Sequence, residues 1–273
     1  TPAAVEAPVE PAPAMPSARV INTDETIPNL TARLIGREPL LDQLRALIDR
    51  AAHRREVQFV AITGPPGMGK TMVGNAIPDL ARSVVPEARV LVARCAPAPA
   101  PPFSVFSRLF AARFGIPFDA TPDEARARID EEVTALIPPA RATEVTHLLA
   151  WLMGVPFPDS PIVEPLAEKS IQLEARTFIA VRRYLMAAAA RAPLVLVLDD
   201  AERARPETVK LIQYLAAGLE GQAVALILLA RPNLLDEHPG LAQTDTELTR
   251  IELPPLTADE ATALFAEMTR AAG

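Results

Sequence analysis

The sequence predicts an α/β protein built on a parallel sheet with helices on both faces. Three observations carry that expectation. Short apolar, β-rich runs alternate with longer stretches of helical periodicity. Two of the runs, Leu194 to Leu198 and Ala223 to Ala230, are apolar throughout rather than alternating, as strands covered on both faces are. The residues with chemical character are a Gly- and Lys-bearing loop after Thr63, the pair Asp199-Asp200, and Arg231. Each stands at the C-terminal end of such a run, the edge at which parallel α/β sheets bind ligands.

The elements follow in order. Thr1 to about Thr31 is dense in Pro and Ala (TPAAVEAPVEPAPAMP), which holds neither helix nor sheet, so residues 1–31 are expected to be a disordered linker. The chain starts with Thr1 rather than Met, and we read it as a segment of a longer protein with another domain upstream. From Pro39 to about Arg54, Leu40, Leu41, Leu44, Leu47 and Ile48 recur at helical spacing. Val57 to Thr63 is a buried strand, and Thr71 to Ala81 a helix with Gly74 and Pro78 as weak points. Arg89 to Cys95 is the next strand, with a Pro-rich loop from Ala96 to Pro102. Helical patterns cover Phe103 to Phe114, Pro122 to Leu136 and about Ala142 to Met153, where Trp151 is a packing residue. Pro156 to Pro161 is a turn. Glu168 to Ala190 is a long helix with Ile171, Leu173, Phe178, Val181 and Leu185 as its core stripe. The Leu194 strand closes on Asp199-Asp200. Pro206, at a first helical turn, opens a helix to Leu219. The Ala223–Ala230 strand follows, then a short fifth strand from Arg250 to Leu253. Thr257-Ala258-Asp259-Glu260 reads as a capping box for a last helix whose apolar face is Ala261, Leu264, Phe265 and Met268.

Composition narrows the function classes. In 273 residues, 49% are hydrophobic, enough for a large core. A net charge of −7 argues against a broad nucleic-acid footprint. A single cysteine, Cys95, excludes an internal disulfide and a multi-cysteine metal site, and His53, His147 and His238 lie too far apart to read as ligands. Apolar stretches are interrupted before the roughly 18 residues a membrane span needs. The N-terminus lacks the basic-then-apolar pattern of a secretion signal, so a cytoplasmic setting is expected.

The loop Gly64-Pro65-Pro66-Gly67-Met68-Gly69-Lys70-Thr71 has the G-x-x-x-x-G-K-[ST] spacing of a phosphate-binding loop, between a strand and a helix as that motif requires. Glycines let backbone N–H groups turn inward on phosphates, and the helix start adds unpaired N–H groups. Gly64, Pro65, Pro66, Gly67, Met68, Gly69, Lys70, Thr71 and Met72 are the candidate nucleotide-binding positions. Lys70 would place a cation on the β/γ-phosphates and Thr71 a hydroxyl on Mg²⁺. Asp199 would hold Mg²⁺ through its water shell, and Asp200 would orient or deprotonate the attacking water. Spacing alone does not fix that division, and a solvated turn is the alternative. Arg231 would reach the γ-phosphate, with a structural salt bridge at the strand end as the competing reading. Arg203 and Arg205 follow the Asp pair closely; they could pair with those carboxylates or serve a neighbouring site in trans, and the preferred reading is that they are solvated.

The ordered set Leu34-Ile35-Gly36-Arg37-Glu38, GPPGMGKT, Arg94-Cys95, LVLVLDD and Ala230-Arg231-Pro232 resembles the ATPase module of the STAND class. These are signal-transduction ATPases attached to bacterial protein kinases, nucleotide cyclases and LuxR-type regulators. The resemblance runs from about Leu34 to the chain end. It implies a P-loop NTPase fold with a five-stranded sheet in the order 5-1-4-3-2, a helical insertion, and an ATP/ADP switch with slow turnover. It also implies that Gly36 and Arg37 lie beside the adenine base. On this reading residues 32–250 form the ATPase domain, and 251–273 lead into a winged helix that helical repeats often follow. The expected cofactors are ATP and Mg²⁺. The expected partners are the chain's own neighbouring domains, with nucleotide-dependent self-association left open and neither membrane nor nucleic acid foreseen.

Two departures bear on activity. Pro65 replaces a commonly acidic loop residue, and Glu202-Arg203-Ala204-Arg205 replaces the family's His-Trp-Ala-Asp-like run. A hydrolysis-deficient, nucleotide-locked scaffold is therefore an alternative function, and an AAA+-like DNA-associated ATPase another.

Overall fold

The computed structural model describes residues 34–97 and 99–272, so the N-terminal linker expectation lies outside the described residues. The chain runs α1 (Glu38–Arg54), β1 (Gln58–Thr63), α2 (Lys70–Val84), β2 (Arg89–Arg94), α3 (Ser104–Phe114), α4 (Pro122–Thr134), α5 (Pro139–Leu152), α6 (Ser170–Ala189), β3 (Leu194–Asp199), α7 (Pro206–Gly218), β4 (Val224–Ala230), α8 (Leu234–Glu237), β5 (Leu248–Glu252) and α9 (Ala258–Ala272). Short 3₁₀ turns cover Glu164–Leu166, Ala201–Arg203 and Pro239–Ala242.

All five strands are parallel, in the order β2-β3-β4-β1-β5, the 5-1-4-3-2 arrangement. β3 and β4 are buried along their whole length, because each has a strand on either side and helices above and below. Their side chains alternate between two cores. Leu194, Leu196, Leu198, Val224, Leu226 and Leu228 join α3 to α7 on one face. Val195, Val197, Ala225, Ile227 and Leu229 join α1 and α2 on the other. The first core is the larger because the link from β2 to β3 carries four helices, α3 to α6, where a single crossover helix would suffice. Phe103, Phe178 and Trp151 pack there ring on ring, so Trp151 is a packing residue.

Register is what builds the functional edge. Thr63 pairs with Ala230 and with Glu252, and Arg94 pairs with Asp199, so the C-terminal ends of all five strands finish nearly level. Backbone bonds continue one residue further: the Gly64 N–H donates to the Ala230 carbonyl, Cys95 N–H to Asp199, and Leu253 N–H to Thr63. β5, expected from Arg250 to Leu253, runs from Leu248 to Glu252.

Several expectations are corrected. Ile171 is 84% exposed and belongs to no core, although it shares an azimuth with Phe178 and Leu185. It lies in the first turn of α6, and periodicity fixes a side chain's direction without guaranteeing that anything faces it. α2 runs unbroken through Pro78 to Val84, because its buried face of Val73, Ile77, Leu80 and Ala81 outweighs the one hydrogen bond proline removes. Of the predicted apolar face of α9, Leu264 is half-buried and Ala261 exposed; the Phe265 and Met268 side chains lie outside the described residues.

Gly74, a weak point by helix propensity, is a close-approach residue. A Cβ there would stand 2.6 Å from Leu229 Cδ1 and 3.9 Å from Val197 Cγ1, both buried strand residues with no room to retreat. Glycine lets α2 settle onto the sheet and so sets the distance of the loop from β3. Gly74→Val is expected to destabilise the chain by about 2 kcal/mol through overpacking. Chemical denaturation followed by circular dichroism checks this, with an unchanged midpoint counting against it.

Candidate functional site

The loop between β1 and α2 has the geometry its sequence foretold. Gly67 and Gly69 take φ of 81° and 83°, left-handed values that a side chain disfavours, and no atom would obstruct a Cβ at either. Glycine is thus required by backbone conformation at these two positions. Gly69 is the N-cap of α2, and Lys70 is its first helical residue. The Lys70 ammonium is buried and donates to the carbonyls of Gly64 (2.7 Å) and Pro65 (2.9 Å), closing the loop on itself.

Across from the loop, Thr71 Oγ1 donates to Asp199 Oδ2 at 2.9 Å. This joins the start of α2 to the end of β3, residues 128 apart in the chain. Asp199 is 5% exposed, and its other oxygen accepts the Asp200 N–H at 2.9 Å. Asp200 adopts φ 53°, a left-handed conformation that costs a non-glycine residue of order 1 kcal/mol and that aspartate tolerates better than most. The turn it makes leaves both carboxylates within reach of one guanidinium, that of Arg94.

Arg94 ends β2. Its Nη2 donates to Thr71 Oγ1 (3.0 Å) and Asp199 Oδ2 (3.1 Å), and its Nε lies 3.3 Å from Asp199 Oδ2 and 3.6 Å from Asp200 Oδ2. Sequence reading quoted Arg94 without giving it a role. The available signal was its position: β2 ends in Arg beside a strand that ends in Asp.

The other arginines are also paired. Arg203, expected to be solvated, lies 3.5 Å from Asp200 Oδ2; Arg205, expected likewise, lies 3.6 Å from Glu207 and reaches the Ala100 carbonyl. Both side chains stay exposed, at 36% and 46%, so each is at once solvated and beside an acid. Arg231 Nε stands 3.1 Å from Glu202 Oε1, and the Arg231 N–H donates to Glu202 Oε2. Glu202 is a partner that sequence reading missed. It also helps push the buried Cys95 thiol up to about 12, mainly an effect of burial, so Cys95 is packing and not a nucleophile.

Beside the loop lies a cavity of about 260 Å³, lined by Leu34, Ile35, Arg37, Met68, Met72 and Leu264, with Gly67, Gly69 and Leu256 completing it. It is apolar and open to the loop, and its size suits one heterocyclic ring rather than a whole nucleotide. Arg37 is buried and ties this wall together, donating to the carbonyls of Pro254 (2.6 Å) and Met68 (3.0 Å). Burial lowers its pKa, an effect the nearby Glu260 opposes only in part. Glu260 closes the capping box, accepting the Thr257 N–H while Thr257 Oγ1 accepts the Glu260 N–H. A Cβ on Gly36 would collide with the Glu260 carboxyl, so Gly36 gives α9 access to this wall. Arg37, Gly67, Met68, Gly69 and Met72 thus converge on the cavity, while Gly36, Gly64, Pro65 and Pro66 do not line it; Gly64 and Pro65 are the loop residues against which Lys70 closes.

The donor set fits a hard divalent cation. Thr71 and Asp199 offer oxygens side by side, with Asp200 adjacent. Mg²⁺ takes few protein ligands and keeps waters and phosphate oxygens, and Thr71 and Asp199 could supply those few. His147 hydrogen-bonds Ser160 and stacks on Phe157, while His53 pairs with Asp49. Among the described residues no helix is long and apolar enough to cross a membrane.

Comparison with known proteins agrees with this geometry. A family profile described as AAA ATPase domain matches residues 33–229. No curated protein matches the chain in sequence. Among solved structures, Cdc6p from Pyrobaculum aerophilum is similar at 18% identity and a TM-score of 0.50, over 89% of this chain and 51% of that one. The ORC1 protein of Aeropyrum pernix in complex with DNA is similar at 16% identity and a TM-score of 0.49, over 90% and 52%. The chain thus spans about half the length of each. At such identities the likeness concerns the fold.

Arg37→Ala removes two charge-assisted bonds that span the cavity wall. It is expected to cost about 2 kcal/mol and to raise amide hydrogen exchange between residues 256 and 260. Unchanged exchange there would show that the wall is held by other contacts.

Proposed function

The chain belongs to the AAA ATPase domain family, and from that premise we propose that it is an ATP- and Mg²⁺-binding regulatory module, a nucleotide-dependent switch within a larger multidomain signalling protein. The observation that carries this reading is the Thr71–Asp199 contact at 2.9 Å, which brings the loop hydroxyl and the strand-end carboxylate to one point beside a closed phosphate loop.

The roles follow from placement. Lys70 leaves its carbonyl partners to meet the β- and γ-phosphates. Thr71 and Asp199 hold Mg²⁺, which supplies charge neutralisation on the phosphates. Asp200 orients the attacking water, and Arg231 leaves Glu202 to read the γ-phosphate. The adenine ring occupies the apolar cavity, where the thioethers of Met68 and Met72 favour an aromatic face. Because Leu256 and Leu264 line the same cavity and Arg37 reaches Pro254, occupancy is felt directly by the segment leading into α9. That segment is the route by which nucleotide state would pass to a following winged helix and helical repeats. The working assignment keeps 32–250 as the ATPase domain and 251–273 as the connection, in a cytoplasmic protein.

Titration with fluorescent ATP in the presence of Mg²⁺ tests the assignment. Lys70→Ala is expected to lose at least tenfold in affinity, about 1.4 kcal/mol; an unaltered affinity would remove the phosphate-loop role.

A second reading, a nucleotide-locked scaffold without turnover, is favoured by the Asp200 carboxylate, which sits between Arg94 and Arg203 at 3.6 and 3.5 Å. Phosphate release over hours separates the two. In the switch, Asp200→Asn keeps ATP binding and abolishes release. In the scaffold, wild-type protein and variant release phosphate equally little.

A further inference from the structure

Resting on the nucleotide-binding reading, we propose that Arg94 is the resident cation of the metal site: its guanidinium occupies the Thr71–Asp199–Asp200 cluster until Mg²⁺ arrives with nucleotide and takes its place.

Two adjacent carboxylates at one strand end repel each other, and Asp199 is almost wholly buried. A guanidinium reaching both offsets that repulsion. Arg94 does this with Nη2 at 3.1 Å and Nε at 3.3 Å from Asp199 Oδ2, while Nε also faces Asp200 at 3.6 Å.

The Thr71 hydroxyl has one proton, which it gives to Asp199 Oδ2, and it accepts Arg94 Nη2 at 3.0 Å. Metal binding needs electron pairs on the same hydroxyl oxygen and the same carboxylate neighbourhood. Arg94 Nη2 stands 3.0–3.1 Å from both oxygens, so guanidinium and metal compete for one position.

The Arg94 side chain is 46% exposed, whereas Asp199 is buried, so the cation can swing outward while the acid stays. Its backbone stays anchored: the Arg94 carbonyl accepts from Arg108 at 2.6 Å, and its residue pairs with Asp199 in the β2–β3 ladder. Arg94 is therefore a positioning residue. It keeps the acidic pair and Thr71 in register when no metal is present and raises the Mg²⁺ concentration at which the site loads.

The test is a Mg²⁺ titration of fluorescent-ADP binding by the whole chain. Arg94→Gln removes the competitor, and its half-saturating Mg²⁺ is expected to fall about threefold or more, the scale on which half-exposed ion pairs act. Arg94→Lys keeps the charge without the fork, and a smaller fall in the same direction is expected. It serves as the readout if Arg94→Gln does not fold. An unchanged or higher half-saturating Mg²⁺ in the folded variant overturns the proposal. Failure of the wild-type chain to bind nucleotide at saturating Mg²⁺ overturns the nucleotide reading itself, which separates the two outcomes.

Discussion

The hydrogen bond from Thr71 to Asp199 is the contact on which the site depends. It exists because two independent constraints meet. One is the level finish of the parallel strands, set by ladder register, which puts the end of β3 beside the loop after β1. The other is the closeness of α2 to the sheet, which Gly74 permits.

Around that contact the edge is organised as a set of partnered cations. Lys70 rests on two carbonyls, Arg94 on both aspartates and the threonine, Arg203 on Asp200, and Arg231 on Glu202. Under the proposed function, Lys70 and Arg231 exchange these partners for phosphate oxygens, and ligand binding becomes a change of partners rather than a desolvation of bare charge. Arg37 differs: it bonds backbone carbonyls on both sides of the cavity and so serves as a brace.

Much of this was legible in the residues. The phosphate loop announced itself because glycine is irreplaceable at φ 81° and 83°, and a lysine and threonine followed at fixed offsets. The buried strands announced themselves because burial on both faces leaves only apolar side chains. Thr257 and Glu260 announced the last helix because capping is a local bond between near neighbours. Ile171 misled because an azimuth on a helix says nothing about what stands opposite. The partners of Arg203 and Arg231 could not be read locally, because an ion pair depends on the direction of a turn, here bent by the left-handed backbone at Asp200.

The sequence by itself therefore determined the parallel α/β class, the alternation of elements, the loop that can take phosphate, and the acids and arginines that end the strands. These are properties of periodicity and of short-range stereochemistry, encoded within a few residues of where they act. Only the tertiary structure decided that Arg94 sits between Thr71 and the two aspartates, that Arg231 is held by Glu202, and that Leu256 and Leu264 close the cavity beside the loop. Those relations join segments far apart in the chain, and their distances follow from strand register and helix packing, which no local pattern records.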